Sequence, residues 1–273
     1  VPASVISGLS DGTVTVTASV TDAAGNTGTG THNVTVDTGL PSVAFNAISG
    51  DNVLNAVEKG QDLSVSGTSA NLAEGTVVTV ILNGKNYAAT TAADGTWSLT
   101  VPAADLAGLG EANYTLSATA TNGVGNSVSN TANLLVDTAL PTVTINTVAG
   151  DNVINAAEVA AGQTLSGTVA NAEAGNTVTV TLGGNSYTAT VQNDLTWSVN
   201  VPSDVLTALG NGSLSVTATV TNGHGNTGTG EREIAIDANL PGLRVDTVAG
   251  DDVINTIEHA QNLIVTGSSD GLA

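Results

Sequence analysis

The chain repeats itself at an interval of 100 residues, without insertions. The run Asp-Thr-Gly-Leu-Pro at 37–41 returns as Asp-Thr-Ala-Leu-Pro at 137–141 and as Asp-Ala-Asn-Leu-Pro at 237–241. The two tryptophans, Trp97 and Trp197, keep the same spacing. Self-similarity at a fixed period is typical of an array in which each copy is one structural unit. The sequence therefore predicts a slice of a tandem array.

The period divides the chain into two complete units between two partial ones. We expect the C-terminal part of a repeat, a complete repeat, a second complete repeat and the N-terminal part of another at 1–37, 38–137, 138–237 and 238–273. Because methionine and an apolar targeting segment are both missing, we expect an internal segment of a longer polypeptide. No apolar run reaches the length of about 18 residues that predicts a membrane-spanning helix.

Charge and composition disfavour several classes of protein. Acidic residues outnumber basic ones by 24 to 4, and the net charge of −20 argues against nucleic acid as a partner. Hydrophobic residues make up 41% of the chain, which is too much for a disordered acidic tail. Cysteine is absent, so no disulfide can stabilise the fold. We expect a folded protein that is stiffened by something else.

Apolar residues alternate with polar ones along short segments. Trp97, Leu99 and Val101 are an example, and a period of two is typical of half-buried strands. Turn signals such as Asn83-Gly84 separate these segments. In the first complete repeat we expect strands near 43–48, 61–67, 76–82, 86–91, Trp97, 113–121 and 127–136. This pattern predicts an all-β fold, namely tandem immunoglobulin-like β-sandwiches of about seven strands each, with the tryptophans in their cores.

The predicted linkers are very short. Pro41, Pro141 and Pro241 follow the recurring aspartate closely, where proline would fix the entry into the first strand of the next repeat. Linkers of this kind hold neighbouring domains in contact, whereas a flexible glycine and serine tether would let them tumble. We therefore expect an elongated rod.

Acidic residues recur at three positions of every copy. They are Asp37, Asp137 and Asp237; Asp51, Asp151 and Asp251; and Glu58, Glu158 and Glu258. In an immunoglobulin-like topology, the loop between the first two strands and the end of the last strand lie at the same pole. Asp51, Glu58 and Asp137 are therefore expected to converge, with Asp105 and Asp204 as weaker candidates.

The last hairpin loop of the next repeat is expected to face this pole with further oxygen donors. Its corresponding residues are Asp22, Asn122 and Asn222. Carboxylates with amide and carbonyl oxygens, without cysteine or a recurring histidine, favour a hard cation, and Ca2+ suits such irregular oxygen sites. The sequence predicts calcium at or near the domain junctions. The structural alternative is that these acids only solubilise loops and cap turns.

Two motifs resemble catalytic or cofactor signatures but lack the required context. The run Gly8–Gly12 fits a nucleophile elbow, which needs a following helix, and a strand is predicted instead. The run Gly223–Gly228 fits a dinucleotide pattern but leads into a strand. His32, His224 and His259 fall at unrelated positions of the repeat. The sequence indicates no enzyme.

Four runs between residues 137 and 202 resemble a known family. They are Asp-Thr-Ala-Leu-Pro-Thr-Val-Thr-Ile-Asn-Thr-Val-Ala-Gly-Asp-Asn-Val-Ile-Asn-Ala-Ala-Glu at 137–158, Gly-Asn-Thr-Val-Thr-Val at 175–180, Thr-Trp-Ser-Val at 196–199 and Val-Pro at 201–202. They are similar to the tandem bacterial immunoglobulin-like repeats of giant non-fimbrial adhesins of the SiiE and BapA type. The resemblance implies a type I-secreted protein of the bacterial cell surface, whose repeats form a calcium-rigidified stalk.

Two functions are consistent with this resemblance. The first is a structural spacer that supports adhesion to host cells, as in virulence, or to other bacteria in biofilms. Its partners would be the neighbouring repeats of the same chain and, through the parent protein, a cell surface; we expect a monomer. The alternative is an immunoglobulin-like module that itself binds a host glycan or protein.

Overall fold

A computed structural model of the chain describes residues 1–271. Contacts between residues divide the chain into two units, Val1–Ala139 and Leu140–Ala273. Strands dominate both units, and the helices are short. The predicted all-β fold is confirmed. The predicted repeat boundaries at 37/38, 137/138 and 237/238 stay a prediction.

The first unit begins with a short helix and a hairpin and continues with one complete repeat. Its helices are α1 Ala3–Ile6 and α2 Ala103–Leu106, with a 3₁₀ turn at Glu58–Gly60. Its strands are β1 Gly12–Thr21, β2 Thr27–Val36, β3 Ser42–Phe45, β4 Val53–Leu54, β5 Leu63–Ala70, β6 Val77–Leu82, β7 Lys85–Thr90, β8 Thr96–Val101, β9 Ala112–Thr121 and β10 Ser127–Val136.

The repeat after the β1–β2 hairpin is built from two sheets. Strands β3, β5 and β8 form one sheet in the order β3-β5-β8, and the other has the order β4-β10-β9-β6-β7. Their inward residues are buried, as Val65 on β5, Val80 on β6 and Leu116 on β9 illustrate. The alternation seen in the sequence thus becomes a core between two sheets.

Trp97 lies in the centre of this core, as predicted, and is 2% exposed. Its indole Nε1 donates to the carbonyl of Thr68 at 3.2 Å. The ring lies over Gly67 so closely that a Cβ atom there would stand 2.3 Å from the ring and 1.9 Å from the carbonyl oxygen of Ala44. Glycine at this position is therefore a packing requirement.

Two elements of the repeat were not predicted. Strand β4 runs parallel to β10, with Val53 opposite Leu135. It has two residues, too few to show an alternating pattern. Helix α2 has four residues, which is barely one helical turn and too short for a recognisable period.

The second unit contains a repeat of the same design and a terminal pair of short antiparallel strands. Its helices are α3 Ala156–Ala161 and α4 Ser203–Leu209, with a 3₁₀ turn at Glu258–Ala260. Its strands are β11 Thr142–Ile145, β12 Val153–Asn155, β13 Gln163–Ala170, β14 Thr177–Leu182, β15 Asn185–Thr190, β16 Thr196–Val201, β17 Gly212–Thr221, β18 Thr227–Asp237, β19 Gly242–Val245 and β20 Gly267–Asp270.

The sheets of the second unit repeat those of the first. Strands β11-β13-β16 form one sheet and β12-β18-β17-β14-β15 the other, while β19 pairs with β20. Trp197 is 1% exposed, and Leu165 and Val216 are fully buried around it. None of the helices in residues 1–271 has the length and apolar character needed to cross a membrane.

Candidate metal centre

The recurring aspartate at position 51 shapes the turn that precedes β4. Its Oδ1 accepts the backbone N–H of Val53 at 2.9 Å. Asp151 and Asp251 accept the corresponding N–H, two residues further on, at 2.9 and 3.0 Å. A carboxylate that accepts an N–H two residues ahead forms an Asx turn.

The recurring glutamate at position 58 belongs to a cap. Glu58 Oε2 accepts the backbone N–H of Asn55 at 3.1 Å, and Asn55 Oδ1 accepts the N–H of Glu58 at 3.0 Å. Glu158 and Glu258 accept the same N–H at 2.9 and 3.0 Å. This reciprocal pair is a capping box, and in the second unit it starts helix α3.

The recurring aspartate at the end of each repeat also binds its own backbone. Asp37 Oδ1 accepts the N–H of Gly39 at 3.0 Å. Asp137 and Asp237 accept the N–H two residues further on at 3.1 Å in each copy. These bonds turn the chain as it leaves the last strand of one repeat towards the first strand of the next.

The hairpin-loop candidates have a comparable local role. The side-chain Oδ1 of Asp22, Asn122 and Asn222 accepts the N–H groups two and four residues ahead, at 2.8 to 3.2 Å. The pKa of Asp22 is lowered, first by the side-chain amide of Asn26 and then by its backbone N–H. Either Asp or Asn can close this loop, which accounts for the exchange between them.

Every predicted ligand therefore makes a local hydrogen bond that recurs with the residue. These turn and cap hydrogen bonds are enough to explain why the same acidic residues recur in every copy, without a shared ligand. A carboxylate has two oxygens, so one such bond is compatible with metal ligation. Whether these residues bind calcium stays a prediction.

The structure brings two of the three expected carboxylates to one end of the repeat. The N–H of Asp137 donates to the carbonyl of Leu54 at 3.2 Å, which places Asp137 next to Asn55, the residue capped by Glu58. Asp51 precedes β4 and lies at the other end of the parallel β4–β10 pair. In residues 1–271, no group of three or more acidic or histidine side chains is arranged to hold a metal ion. The expected convergence of Asp51, Glu58 and Asp137 on a shared ligand stays a prediction, with Glu58 and Asp137 as the two that lie at the same end.

Asp105, a weaker candidate, has a different partner. Its Oδ1 lies 2.5 Å from Lys85 Nζ, and its Oδ2 accepts the hydroxyl of Tyr87 at 3.0 Å. The Lys85 ammonium is the main cause of the lowered pKa of Asp105. Asp204 in the second unit accepts the N–H of Val205 at 3.0 Å instead. The structure gives Asp105 an ion pair that joins helix α2 to strand β7.

Sequence reasoning missed a further recurring hydrogen-bond acceptor, at residue 11 of the chain and at the positions 100 and 200 residues later. Asp11 Oδ1 accepts both the N–H and the hydroxyl of Thr38, at 2.8 and 2.7 Å. Glu111 takes the same groups of Thr138, and Asn211 accepts the N–H of Ala238 at 2.9 Å. The residue type changes among Asp, Glu and Asn, so a search for identical residues fails. The shared property is an oxygen acceptor.

Within the first unit, the linker at 37–40 is also held from the following repeat. The side-chain amide of Asn126 donates to the carbonyls of Asp37 and Gly39 at 3.2 and 3.3 Å. The side-chain amide of Asn71 donates to the carbonyl of Leu40 at 3.0 Å. The prediction that the loop at 121–126 faces the end of the preceding repeat is confirmed here. Hydrogen bonds from both sides thus fix the linker.

Paired sheets, short capped turns and hydrogen-bonded linkers define a class of protein, the tandem immunoglobulin-like β-sandwiches. Within the chain, residues 42–138 match the family described as bacterial Ig-like domain. This part of the chain belongs to that family.

Solved structures of adhesins are similar to the chain. One, a Ca2+-stabilized adhesin that helps an Antarctic bacterium reach out and bind ice, has 33% sequence identity and a TM-score of 0.52. That match covers 95% of this chain but 65% of the other, so the chain spans slightly less than two thirds of that structure. The chain is thus similar, over 95% of its length, to a Ca2+-stabilized adhesin.

Two further matches come from ice-binding adhesins. A structure concerned with host cell surface retention of a 1.5-MDa bacterial ice-binding adhesin is 31% identical, covers 85% of this chain and 76% of that one, and has a TM-score of 0.49. A bacterial immunoglobulin-like domain from the M. primoryensis ice-binding adhesin is 37% identical, covers 36% and 97%, and has a TM-score of 0.28. No curated protein matches the chain.

Proposed function

We propose that the chain is a structural stalk segment of a bacterial surface adhesin, with repeats bounded at 37/38, 137/138 and 237/238. The observation that carries this proposal is the linker at 37–40. Asp11 binds it from one side, and Asn126 and Asn71 bind it from the other. A linker that is fixed in this way limits bending between neighbouring repeats, as a stalk requires. The role is mechanical, and no reaction is assigned to it.

The parent protein, on this proposal, belongs to the giant non-fimbrial adhesins of the SiiE and BapA type. It is secreted by a type I system and displayed on the bacterial surface, and the stalk supports adhesion to host cells or biofilm formation. The sequence runs quoted above and the similarity to adhesin repeats support this assignment. We propose that the chain acts as a monomer.

Calcium is the proposed stiffening ligand. The similar adhesin from the Antarctic bacterium is Ca2+-stabilized. In this chain the best-supported ligands are Glu58 and Asp137 with their copies Glu158 and Asp237, since each pair lies at one end of a repeat beside a linker. Ca2+ takes six to eight oxygens, so backbone carbonyls must complete the shell. Extracellular calcium modules bind at about 10⁻⁴–10⁻³ M, which would fill the site outside a cell and empty it inside.

The other predicted ligands have weaker support. Asp51 and Asp151 lie at the other end of the β4–β10 and β12–β18 pairs, and no such pair follows Asp251 in residues 1–271. The hairpin-loop residues Asp22, Asn122 and Asn222 use Oδ1 within their own loops. For these residues the metal assignment is supported by recurrence alone, so they serve as comparison positions.

The stalk proposal is tested by the width of a distance distribution across the linker. The chain has no cysteine, so Thr17→Cys on β1 and Ser64→Cys on β5 provide two unique spin-label sites on exposed positions. We expect a narrow distribution by electron double resonance. As a reference, residues 38–40 are replaced by Gly-Ser-Gly. A native distribution as broad as this reference would contradict the stalk proposal.

The calcium proposal is tested separately with Glu58→Gln and Asp137→Asn. Both substitutions keep an oxygen acceptor for the local bond and remove the charge. We expect the calcium-induced rise in Tm to fall in the double variant and to persist in the matched control Asp51→Asn. If all three proteins respond to calcium equally, the assigned carboxylates are not ligands. That result would leave the stalk proposal intact, because the distance measurement is independent.

The alternative function, a module that itself binds a host glycan or protein, is favoured by one difference between the two complete repeats. In the second repeat Arg232 donates to the carbonyl of Ile145, and in the first repeat, where the corresponding residue is Ala132, a cleft is present.

A further inference from the structure

Arg232 on β18 reaches across the edge of the neighbouring sheet. Its Nε donates to the carbonyl of Ile145, the last residue of β11, at 2.7 Å. Its Nη1 lies 3.4 Å from Asn152 Oδ1. The aliphatic stem of an arginine covers apolar surface while its head makes polar contacts. The side chain of Ile145 itself belongs to the core of the repeat and is 5% exposed.

The carbonyl of Ile145 is available because β11 is an edge strand. The N–H of Asn146 donates to Ser166 on the β13 side at 2.8 Å, which fixes the alternation of the antiparallel ladder. Residues 142, 144 and 146 therefore bond inward to β13, and the backbone of residue 145 faces outward. Arg232 supplies a donor for an acceptor that the sheet itself does not use.

The first complete repeat has the same acceptors but no arginine. Strand β3 is again an edge strand, and the N–H of Asn46 donates to Ser66 at 2.9 Å, so the carbonyl of Phe45 faces outward. Position 132, which corresponds to Arg232, is alanine, whose methyl group cannot donate a hydrogen bond. A cleft remains there, lined by Phe45, Asn52, Ala132 and Asn133 among others.

The neighbouring outward carbonyl has a donor of its own. Asn130 Nδ2 donates to the carbonyl of Val43 at 2.8 Å. This bond marks the end of the cleft and leaves the carbonyl of Phe45 and the side chain of Asn52 as the acceptors that match those used by Arg232. Phe45 is half-buried and lines the cleft, and the edge-to-face contact of its ring with Trp97, with centroids 5.4 Å apart, holds this residue in position.

We propose that this cleft of the first complete repeat binds the guanidinium group of an arginine side chain presented by a partner protein. The second repeat shows the occupied form, with the ligand supplied by its own chain. The planar fork of a guanidinium can meet two acceptors at once, and arginine packs on aromatic rings, whereas a lysine ammonium is a compact point charge. The net charge of −20 attracts a cationic partner from a distance.

The lining residues of the cleft are all uncharged. Recognition therefore depends on oriented acceptors and on ring contact, and not on an ion pair. Such a site discriminates between cations by shape. Arginine is also one of the residues that most often dominates a protein interface, which suits a pocket that takes a single side chain.

The test is an NMR titration of the full chain with N-acetyl-arginine amide, with N-acetyl-lysine amide as the matched cation. Both titrations are run with chelator, so that the result does not depend on the calcium proposal. We expect saturable shifts for the arginine derivative at 44–47, 52 and 130–133, and weaker binding of the lysine derivative. Residues 144–147 and 230–233 should not respond.

Two variants test the proposal in opposite directions, one by closing the cleft of the first repeat and the other by opening a cleft in the second. Ala132→Arg should close the cleft from within and weaken binding at least about tenfold, as expected for loss of a charge-assisted hydrogen bond. Arg232→Ala should open the second cleft and create a new set of shifts at 144–147 and 230–233. Equal effects of both derivatives at the same residues would show general attraction to an acidic chain and overturn the proposal. Lack of saturable shifts in the native chain and in Arg232→Ala would also overturn it.

Discussion

The side-chain amide of Asn126 donates to the backbone carbonyl of Asp37 at 3.2 Å and so joins the last hairpin loop of one repeat to the residue that ends the previous one. The two residues are 89 positions apart in the chain. Bringing two such distant residues together costs conformational entropy. Folding of the sandwich that carries Asn126 already includes this cost, so the contact with the linker adds little to it. The loop is thus a preformed docking surface for the linker.

We predict that Asn126→Ala broadens the distance distribution between labels at positions 17 and 64. The substitution removes the donor to Asp37 and Gly39, which contributes about 1 kcal/mol per hydrogen bond. The sandwich itself should remain folded, since the side chain lies in a surface loop. Ser129→Ala, at an exposed position of the same hairpin, is the control and should leave the distribution narrow. An unchanged width in Asn126→Ala would show that other contacts hold the linker.

The bond between Asp11 and Thr38 should make the linker sensitive to acid. The Thr38 hydroxyl, followed by its N–H, lowers the pKa of Asp11. A carboxyl whose pKa is lowered on folding contributes stability above its unfolded pKa of about 3.9 and loses it as the pH falls through the lowered value. Amide exchange of Thr38 should therefore accelerate as the pH falls below about 4, relative to exchange in Asp11→Asn. Parallel pH profiles in both proteins would contradict this role of the charge.

Gly67→Ala should destabilise the first complete repeat by about 3 kcal/mol or more, as in a severely overpacked core. The new methyl group would overlap the carbonyl of Ala44 and the ring of Trp97, and neither can move without disturbing a sheet or the core. Gly108→Ala is a matched control, because no atom lies within 4 Å of a Cβ at that position. Thermal unfolding followed by the fluorescence of Trp97 in a Trp197→Phe background measures both. A similar Tm for the two variants would mean that the core is looser than the structure shows.

Much of the fold follows from sequence patterns that operate over a few residues. The alternation at Trp97, Leu99 and Val101 becomes β8, and Asn83-Gly84 becomes a two-residue turn with φ of 48° and 78°. Strand β4 could not be predicted in this way, because its parallel partner lies 82 residues away and its own two residues carry no period.

The candidate site was harder to predict than the fold, for a physical reason. Carboxylates recur in a repeat either because they bind a ligand or because they terminate backbone elements, and the sequence pattern is the same in both cases. Glu58 caps the N–H of Asn55, and this role alone fixes its place in every copy. Conversely, the acceptors at Asp11, Glu111 and Asn211 share a role without sharing an identity, so residue matching does not detect them.

Asp105 should control the ionisation of Tyr87. The pKa of Tyr87 is raised to about 12, mainly by burial and further by the hydrogen bond to the Asp105 carboxylate and by the negative charge of that carboxylate. Asp105→Ala should therefore lower the pKa of Tyr87 without returning it fully to the usual value near 10, because burial remains. The titration is followed by NMR of ¹³C-labelled tyrosine. Asp94→Ala, which removes a carboxylate bonded to Thr96 and not to tyrosine, is the control.

The raised pKa of Tyr87 also predicts a change in stability at high pH. A group whose pKa is higher in the folded state contributes stability below its unfolded pKa and loses it as the pH rises through the folded value. The first complete repeat should thus lose stability between pH 10 and about 12. Asp105→Ala should narrow this window. If the native protein and Asp105→Ala lost stability over the same pH range, Asp105 would not contribute to the raised pKa of Tyr87.

Asn155→Ala should destabilise helix α3 by about 1 kcal/mol, the usual cost of losing an N-cap. The Asn155 side chain accepts the N–H groups of Ala157 and Glu158 at 3.0 and 3.1 Å, and alanine would leave both without this acceptor. Hydrogen exchange of residues 156–161, read by mass spectrometry in the presence of chelator, should accelerate accordingly. Asn193→Ala, at an exposed loop position, should have no effect there.

Glu158→Gln separates the capping role of this glutamate from the proposed ligand role. Glutamine can still accept the N–H of Asn155 through its side-chain carbonyl, as glutamate does at 2.9 Å, so exchange of residues 156–161 in chelator should stay near the native rate. If Glu158 also binds calcium, addition of Ca2+ should slow this exchange in the native chain and not in Glu158→Gln. Exchange in chelator as fast as that of Asn155→Ala would instead mean that the cap requires a negative charge at the helix N-terminus.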